Sequence, residues 1–207
     1  MAPKHSTRSF VAGERFFRLY HKHCVQPDQD TLFGLLEAAH SLNDRLNKRT
    51  GSNFFECNEF VALKALRNLF HHEEELKHDV RILSVEEMPP VTSDLLYLCL
   101  VPRQLVEKAI AQINRKRREQ DASIIRITLK WYGNVVNINP CIFNFAVHVF
   151  EKFRLLGLDL NNEEYIEFRA SYEYEEEHEH SHFATGDVVC HAGSAEQLLM
   201  SAFADVT

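Results

Sequence analysis

Four side chains within the segment Arg67-Asn68-Leu69-Phe70-His71-His72 are of types that can act on a phosphate ester. A histidine has a pKa near neutrality, so it can take a proton from a ribose 2′-hydroxyl or give one to a leaving oxygen. An arginine can hold the phosphate as negative charge develops, and an asparagine can orient either group. Together these are reagents for cleaving RNA without a metal ion. The candidate catalytic residues are Arg67, His72, Asn68 and His71.

The same segment also fits two roles that involve no catalysis. Arginine and histidine side chains paired with neighbouring acids are common on a solvated helix surface. On an ideal helix, Arg67 and His71 also share a face with Phe60 and Leu63, and such a mixed face can dock a protein partner. Residue types and spacing leave these alternatives open.

The elements that must position the segment are mostly helical by their apolar spacing. The predicted helices run from about Thr7 to Cys24, from Asp30 to Gly51, from Asn53 to Leu83 as the longest, from Pro102 to Ile113, and from Asn139 to Gly157. The apolar run that ends at Val101 fits either a buried strand or the start of a helix. Alternation from Ile125 to Trp131 predicts a strand. We therefore predict a mainly α-helical bundle of about five helices, with a small two-stranded insertion within residues 84–135 left open.

The motif and its place in the bundle together resemble a known family. The string Arg67-Asn68-x-x-x-His72, late in the third predicted helix, resembles the Arg-x(4–6)-His signature of the HEPN superfamily. Membership would imply a small helical domain that often dimerises and often acts as a metal-independent endoribonuclease in toxin–antitoxin and abortive-infection systems. Arg67 and His72 would then be the catalytic pair and Asn68 the polar residue after the arginine.

Helix geometry qualifies this assignment. On an ideal helix Arg67 and His72 point about 140° apart, whereas His71 lies within about 40° of Arg67. A kink, or a site shared between two chains, is needed to join Arg67 with His72. A straight helix instead favours His71 as the partner of Arg67.

Charge is divided unevenly along the chain. The formal net charge is -7, yet residues 161–207 contain eleven acidic groups and one arginine, which leaves the first 160 residues at +3. We predict a HEPN-like helical domain over residues 1–160 and an acidic, histidine-containing tail over 161–207. A basic cluster follows the fourth predicted helix and can grip RNA phosphates or complement the helix dipole. Its members are Arg115, Lys116, Arg117 and Arg118.

Cysteine and histidine placement gives no reason to expect a metal or another cofactor. The five cysteines are scattered, so neither a disulfide framework nor a cysteine zinc site is predicted. His178, His180 and His182 stand among carboxylates that could hold a divalent metal, but the pattern is also typical of a solvated acidic tail. No run of eighteen apolar residues predicts a membrane span, and we expect a cytoplasmic protein.

The preferred functional prediction is a metal-independent endoribonuclease of a toxin or antiviral-defence type. The expected partners are an RNA substrate, a second copy of the chain in a homodimer, and an antitoxin or other neutralising protein. The alternative is a non-catalytic helical module for protein interaction or dimerisation.

Overall fold

The structure is a computed structural model that describes residues 7–73, 78–88, 91–191 and 193–204. These residues form eight α-helices and six short strands. The helices are α1 (Thr7–Val25), α2 (Gln29–Thr50), α3 (Asn58–His72), α4 (Arg103–Gln112), α5 (Arg118–Thr128), α6 (Asn139–Leu155), α7 (Glu163–Glu177) and α8 (Ala195–Ser201). The strands are β1 (Arg81–Ser84), β2 (Val91–Thr92), β3 (Tyr97–Pro102), β4 (Lys130–Tyr132), β5 (Val135–Asn137) and β6 (Val189–Cys190).

The chain divides into two compact units, each made of two segments. Unit 1 comprises residues 1–60 and 144–183, and unit 2 comprises residues 61–143 and 184–207. Unit 1 is helical, whereas unit 2 contains both sheets. The mainly helical class predicted from the sequence is confirmed, but the helices number eight rather than about five among the described residues.

The predicted helices of unit 1 are confirmed with small shifts at their ends. Helix α2 begins after Asp28 rather than Asp30, because the Asp28 carboxylate accepts a hydrogen bond from the Thr31 backbone N–H at 2.6 Å. Gly51 ends the helix in the left-handed conformation, with φ of 73°. The core of this unit is aromatic. Phe145 of α6 packs against Phe16, Phe54 and Phe60, with ring centroids 5.7, 5.3 and 5.6 Å away.

The sheets of unit 2 differ from the predicted two-stranded insertion. One sheet has four antiparallel strands in the order β1-β3-β5-β4, and the other pairs β2 with β6. The run ending at Val101 is strand β3. The predicted strand from Ile125 to Trp131 is wrong over most of its length, because residues to Thr128 belong to α5 and only β4 follows. Strands β3 and β4 do not pair with each other, since β5 lies between them.

The third helix is shorter than predicted. Helix α3 begins at Asn58 and ends at His72, and the chain forms strand β1 at Arg81–Ser84 where the helix was predicted to continue. Residues 74–77 of that prediction lie outside the described residues. At 22 residues, α2 is longer than α3, which has 15. The Arg67–His72 segment therefore lies at the carboxyl end of its helix.

The predicted acidic tail is folded into both units. Residues 161–207 include α7, β6 and α8. Tyr165 and Tyr172 of α7 are buried, which explains why this acidic segment forms a packed helix. Val188 and Leu199 lie in the apolar core of unit 2. Among the described residues, no helix has the length and apolar character needed to cross a bilayer.

A buried histidine in unit 1 predicts a dependence of stability on pH. His23 has no exposed surface, and its Nδ1 lies 2.8 Å from the Thr31 hydroxyl. Burial lowers the pKa of His23 from 6.5 to about 4. Between these values the unfolded chain binds a proton that the folded chain does not, so the free energy of unfolding should fall by about 3 kcal/mol as pH falls across this window.

Urea unfolding of the parent chain and of His23→Gln at several pH values measures this effect. The His23→Gln variant should lose less stability than the parent between pH 7 and pH 4. His180→Gln, at an exposed position, is the control and should follow the parent. If the free energy of unfolding fell equally with pH in the parent and in His23→Gln, the prediction would be wrong.

Candidate functional site

The four predicted catalytic residues lie on the last two turns of α3. Arg67 and Asn68 are half-buried, and the Arg67 Nη1 donates a hydrogen bond of 3.3 Å to the Asn68 Oδ1. His71 and His72 are both exposed. Their imidazole rings meet edge to face, with centroids 5.5 Å apart. The helix end thus presents two contacting imidazoles to solvent, one turn beyond a guanidinium.

The regularity of α3 decides which histidine shares a face with Arg67. The helix is α-helical throughout Asn58–His72, and the Glu73 backbone N–H still donates to the Leu69 carbonyl at 2.9 Å. No change of helix type therefore turns His72 toward Arg67. In this geometry His71 lies within about 40° of Arg67 around the axis and His72 about 140° away.

The polar surface continues from the histidines onto α4. The Glu73 carboxylate forms an ion pair with Lys108 and accepts a hydrogen bond of 2.9 Å from the Gln112 amide. The hydrogen bond from Lys108 holds the pKa of Glu73 below its usual value. These contacts bring the end of α4 beside the residue that follows the two histidines.

The predicted RNA-binding cluster forms the loop after α4 and the first residue of α5. All four residues are exposed, but two of them have structural contacts. The guanidinium of Arg118 donates to the Ile113 carbonyl at 2.9 and 3.1 Å, and Arg117 pairs with Asp121 at 3.3 Å. Arg115 and Lys116 follow Gln112 so closely that their Cα atoms lie within about 11 and 15 Å of its Cα.

The apolar part of the α3 face that could dock a protein partner is buried. Phe60 and Leu63, which share a face with Arg67 on an ideal helix, are only 1% and 3% exposed. Their apolar area is already used inside the chain. The part of this face left at the surface is polar.

A second polar cluster lies in unit 1 and has no counterpart in the sequence prediction. Cys57 precedes α3, Glu59 lies in its first turn, and His148 projects from α6. The Cys57 thiol donates to Glu59 Oε2 at 3.3 Å, and His148 Nε2 lies 3.2 Å from the same oxygen. Because Cys57 and His148 are far apart in the sequence, no spacing rule could have joined them.

Burial and hydrogen bonding shift the pKa values of all three groups. Burial raises the pKa of the Cys57 thiol to about 12. The hydrogen bond to Glu59 raises the pKa of His148. Burial acts to raise the pKa of Glu59, but hydrogen bonds from His148 and the backbone outweigh it and hold that pKa below its usual value. At neutral pH Cys57 is therefore a thiol, which makes it a poor nucleophile.

The histidines near the end of α7 are engaged in local contacts. His182 stacks on Tyr172 with ring centroids 3.7 Å apart, and its Nδ1 lies 2.8 Å from Glu175. His178 stacks on Tyr174 at 4.0 Å. Both side chains thus contact neighbouring groups of α7.

Each unit has a surface cleft that is lined by described residues. The cleft of unit 1 has a volume of about 380 Å³ and is lined by Asn53, Phe54, Glu56, Cys57, His148, Glu151, Lys152 and Leu155. The cleft of unit 2 has a volume of about 580 Å³ and is lined by Pro102, Arg103, Gln104, Glu107, Asn134, Val135, Met200 and Phe203. Arg67, His71 and His72 line neither cleft.

No protein-family model matches the chain, and neither a curated protein nor a solved structure matches it.

Proposed function

We propose that the chain cleaves RNA without a metal ion, using Arg67 and the two histidines at the end of α3. The observation that carries the proposal is the contact of two exposed imidazoles, with ring centroids 5.5 Å apart, one turn beyond Arg67. Two proton carriers beside a phosphate-binding cation are the minimum that metal-free transesterification needs. His71 is the partner of Arg67 in this proposal, because a regular helix places the two on one face.

In the proposed reaction, one imidazole takes the proton from the ribose 2′-hydroxyl. The 2′-oxygen then attacks the adjacent phosphorus, and the bond from phosphorus to the 5′-oxygen breaks. The second imidazole, as imidazolium, gives its proton to that leaving oxygen, and a 2′,3′-cyclic phosphate remains. Arg67 holds the phosphoryl oxygens while their charge increases. Asn68 is a positioning residue for Arg67, because its Oδ1 accepts a hydrogen bond of 3.3 Å from the Arg67 Nη1.

Binding of RNA is assigned to the cations that follow α4. The whole chain carries a net charge of -7, so attraction to phosphates must come from a local basic surface. Arg115 and Lys116 supply that surface, while Arg117 and Arg118 keep the loop in place through Asp121 and Ile113. Single-stranded or looped RNA suits the site, because its backbone can bend to reach an exposed helix end.

The biological setting in this proposal comes from the HEPN resemblance alone. It comprises a homodimer with the two helix ends near one cleft, a neutralising partner such as an antitoxin, and a role as a toxin or in antiviral defence in the cytoplasm. A non-catalytic interaction module remains the alternative, although burial of Phe60 and Leu63 removes the apolar face on which it depended.

Incubation of purified protein with labelled single-stranded RNA in EDTA tests the proposal. The parent chain should yield fragments that end in a cyclic phosphate. Arg67→Ala should lower the cleavage rate by about 10²–10³-fold, since it removes one preorganised donor to the developing charge. Arg45→Ala, which alters an exposed arginine on α2, is the matched control and should cleave at the parent rate.

Two results would contradict ribonuclease activity at this site. The first is a folded parent chain that leaves the RNA intact. The second is cleavage by Arg67→Ala at the parent rate, which would attribute the activity to a contaminant or to other residues. Circular dichroism of each variant confirms that it is folded.

A further inference from the structure

We propose that Cys57, Glu59 and His148 form a binding site for a zinc-like divalent transition-metal ion. The proposal concerns unit 1 and is independent of the ribonuclease proposal, whose residues lie elsewhere on the chain. It rests on the convergence of three donor atoms of the types that zinc prefers, thiolate sulfur, imidazole nitrogen and carboxylate oxygen.

The distances among the donors agree with a tetrahedral site. Zinc bonds of 2.0–2.3 Å at tetrahedral angles place neighbouring donors about 3.3–3.6 Å apart. Glu59 Oε2 lies 3.3 Å from Cys57 Sγ and 3.2 Å from His148 Nε2. All three donor atoms lie within 4.8 Å of one another. Small rotations of the side chains are enough to close them around one ion.

The turn before α3, the first turn of α3 and helix α6 hold these three donors in place. The Cys57 backbone N–H donates to the Phe54 carbonyl at 3.0 Å, which closes the turn before α3. The Phe54 N–H in turn donates to the buried Asn43 side chain at 2.8 Å. Phe145, one turn before His148 on α6, packs against Phe54 and thereby ties α6 to this turn. Donors on supported elements are the arrangement that metal binding favours.

The surroundings of His148 also resemble those of a metal ligand. A ligating imidazole usually directs its other nitrogen to a carboxylate, which fixes the tautomer and the ring orientation. His148 Nδ1 lies 3.6 Å from Glu151 Oε2, and the Tyr172 hydroxyl donates to Glu151 Oε1 at 3.3 Å. Glu151 is therefore assigned as a positioning residue for His148.

Three protein ligands leave one coordination position for water or another molecule. Cys57 and His148 both line the cleft of about 380 Å³ in unit 1. Two of the three donors thus border a space large enough for a small molecule, and Lys152 lines the same cleft. When the ion binds, the thiol proton passes to solvent, and the charges of the thiolate and carboxylate neutralise that of the ion.

Titration of the EDTA-stripped, dialysed full chain with Zn²⁺ and with Co²⁺ tests the site. We expect one Zn²⁺ per chain and a near-ultraviolet charge-transfer band from a thiolate to Co²⁺. Cys57→Ser should abolish the band. Glu59→Gln and His148→Gln should weaken Zn²⁺ binding by more than about 100-fold, and Glu151→Gln should weaken it about 10–100-fold while keeping the band.

Matched controls separate this site from other donors. Cys24→Ser changes an exposed cysteine, and the pair His178→Gln with His180→Gln changes two exposed histidines. Both control chains should bind as the parent does. Absence of the thiolate band in the parent, its persistence in Cys57→Ser, or loss of Zn²⁺ binding in a control chain would overturn the proposal. Absence of the band from the parent's cobalt spectrum overturns the proposal even where a variant fails to fold.

Discussion

Replacing His71 with alanine should lower the rate of RNA cleavage by about 10²–10⁴-fold, the usual contribution of a general acid or base. The reason is geometric. Helix α3 is regular up to His72, so His71 rather than His72 lies on the face of Arg67. The two imidazole rings contact each other, so His72→Ala should also be impaired. The double variant should be little slower than the slower single variant, because the residues act as one unit.

Single-turnover cleavage of labelled RNA in EDTA measures these rates without interference from product release. His180→Ala is the matched control, since it removes an exposed histidine of unit 1. Mixing Arg67→Ala with His71→Ala protein should restore no activity, because Arg67 and His71 act within one chain. Cleavage by His71→Ala at the parent rate would contradict this assignment. Recovery of activity in the mixture would show instead that the site is shared between two chains.

Helical periodicity predicted much of unit 1 because local information is sufficient there. Apolar residues at intervals of three and four predicted α1, α2 and most of α6. The end of α2 could be located because Gly51 adopts a left-handed conformation that other residues avoid. In such segments, residues that are close in the sequence determine both the buried face of the helix and the positions of its ends.

The errors arose where short-range patterns fit more than one structure. Residues Ile125, Ile127, Leu129 and Trp131 alternate as in a strand, yet Ile127 is 74% exposed and the chain to Thr128 is helical. Burial of Ala122 and Ile125 at a spacing of three sets the face of α5. The acidic residues of 161–207 likewise predicted an acidic tail. Its scattered apolar residues are instead buried, Tyr165 and Tyr172 in α7 and Val188 and Leu199 in the core of unit 2.

The two candidate sites differ in how far the sequence could reveal them. Arg67, His71 and His72 are neighbours on one helix, so a local motif was sufficient to find them. The cluster of Cys57, Glu59 and His148 forms only when α6 packs beside the start of α3. In the sequence, Cys57-x-Glu59 looks like an ordinary start of a helix. His148 looks like any histidine at a half-buried position of a helix. These three residues become possible ligands of one metal ion only because distant segments of the chain are in contact.

Phe145→Ala should lower the free energy of unfolding by about 3–5 kcal/mol, the usual cost of removing a buried phenylalanine ring. Phe145 is 1% exposed and contacts three other aromatic rings of unit 1. The cavity left by the ring cannot collapse easily, because those neighbours come from α1, the turn before α3 and α3 itself. Phe145→Leu, which keeps part of the volume, should cost less.

Denaturant unfolding of the parent and of both variants measures these costs. Leu155→Ala is the matched control, because Leu155 lies at the end of the same helix and is 80% exposed. Its effect should stay within about 0.5 kcal/mol. Phe54 and Phe60 flank Cys57 and Glu59 in the sequence, so loosening their contact with Phe145 should also weaken Zn²⁺ binding. If Phe145→Ala were as stable as Leu155→Ala, the aromatic cluster would not be the core that fixes the donors.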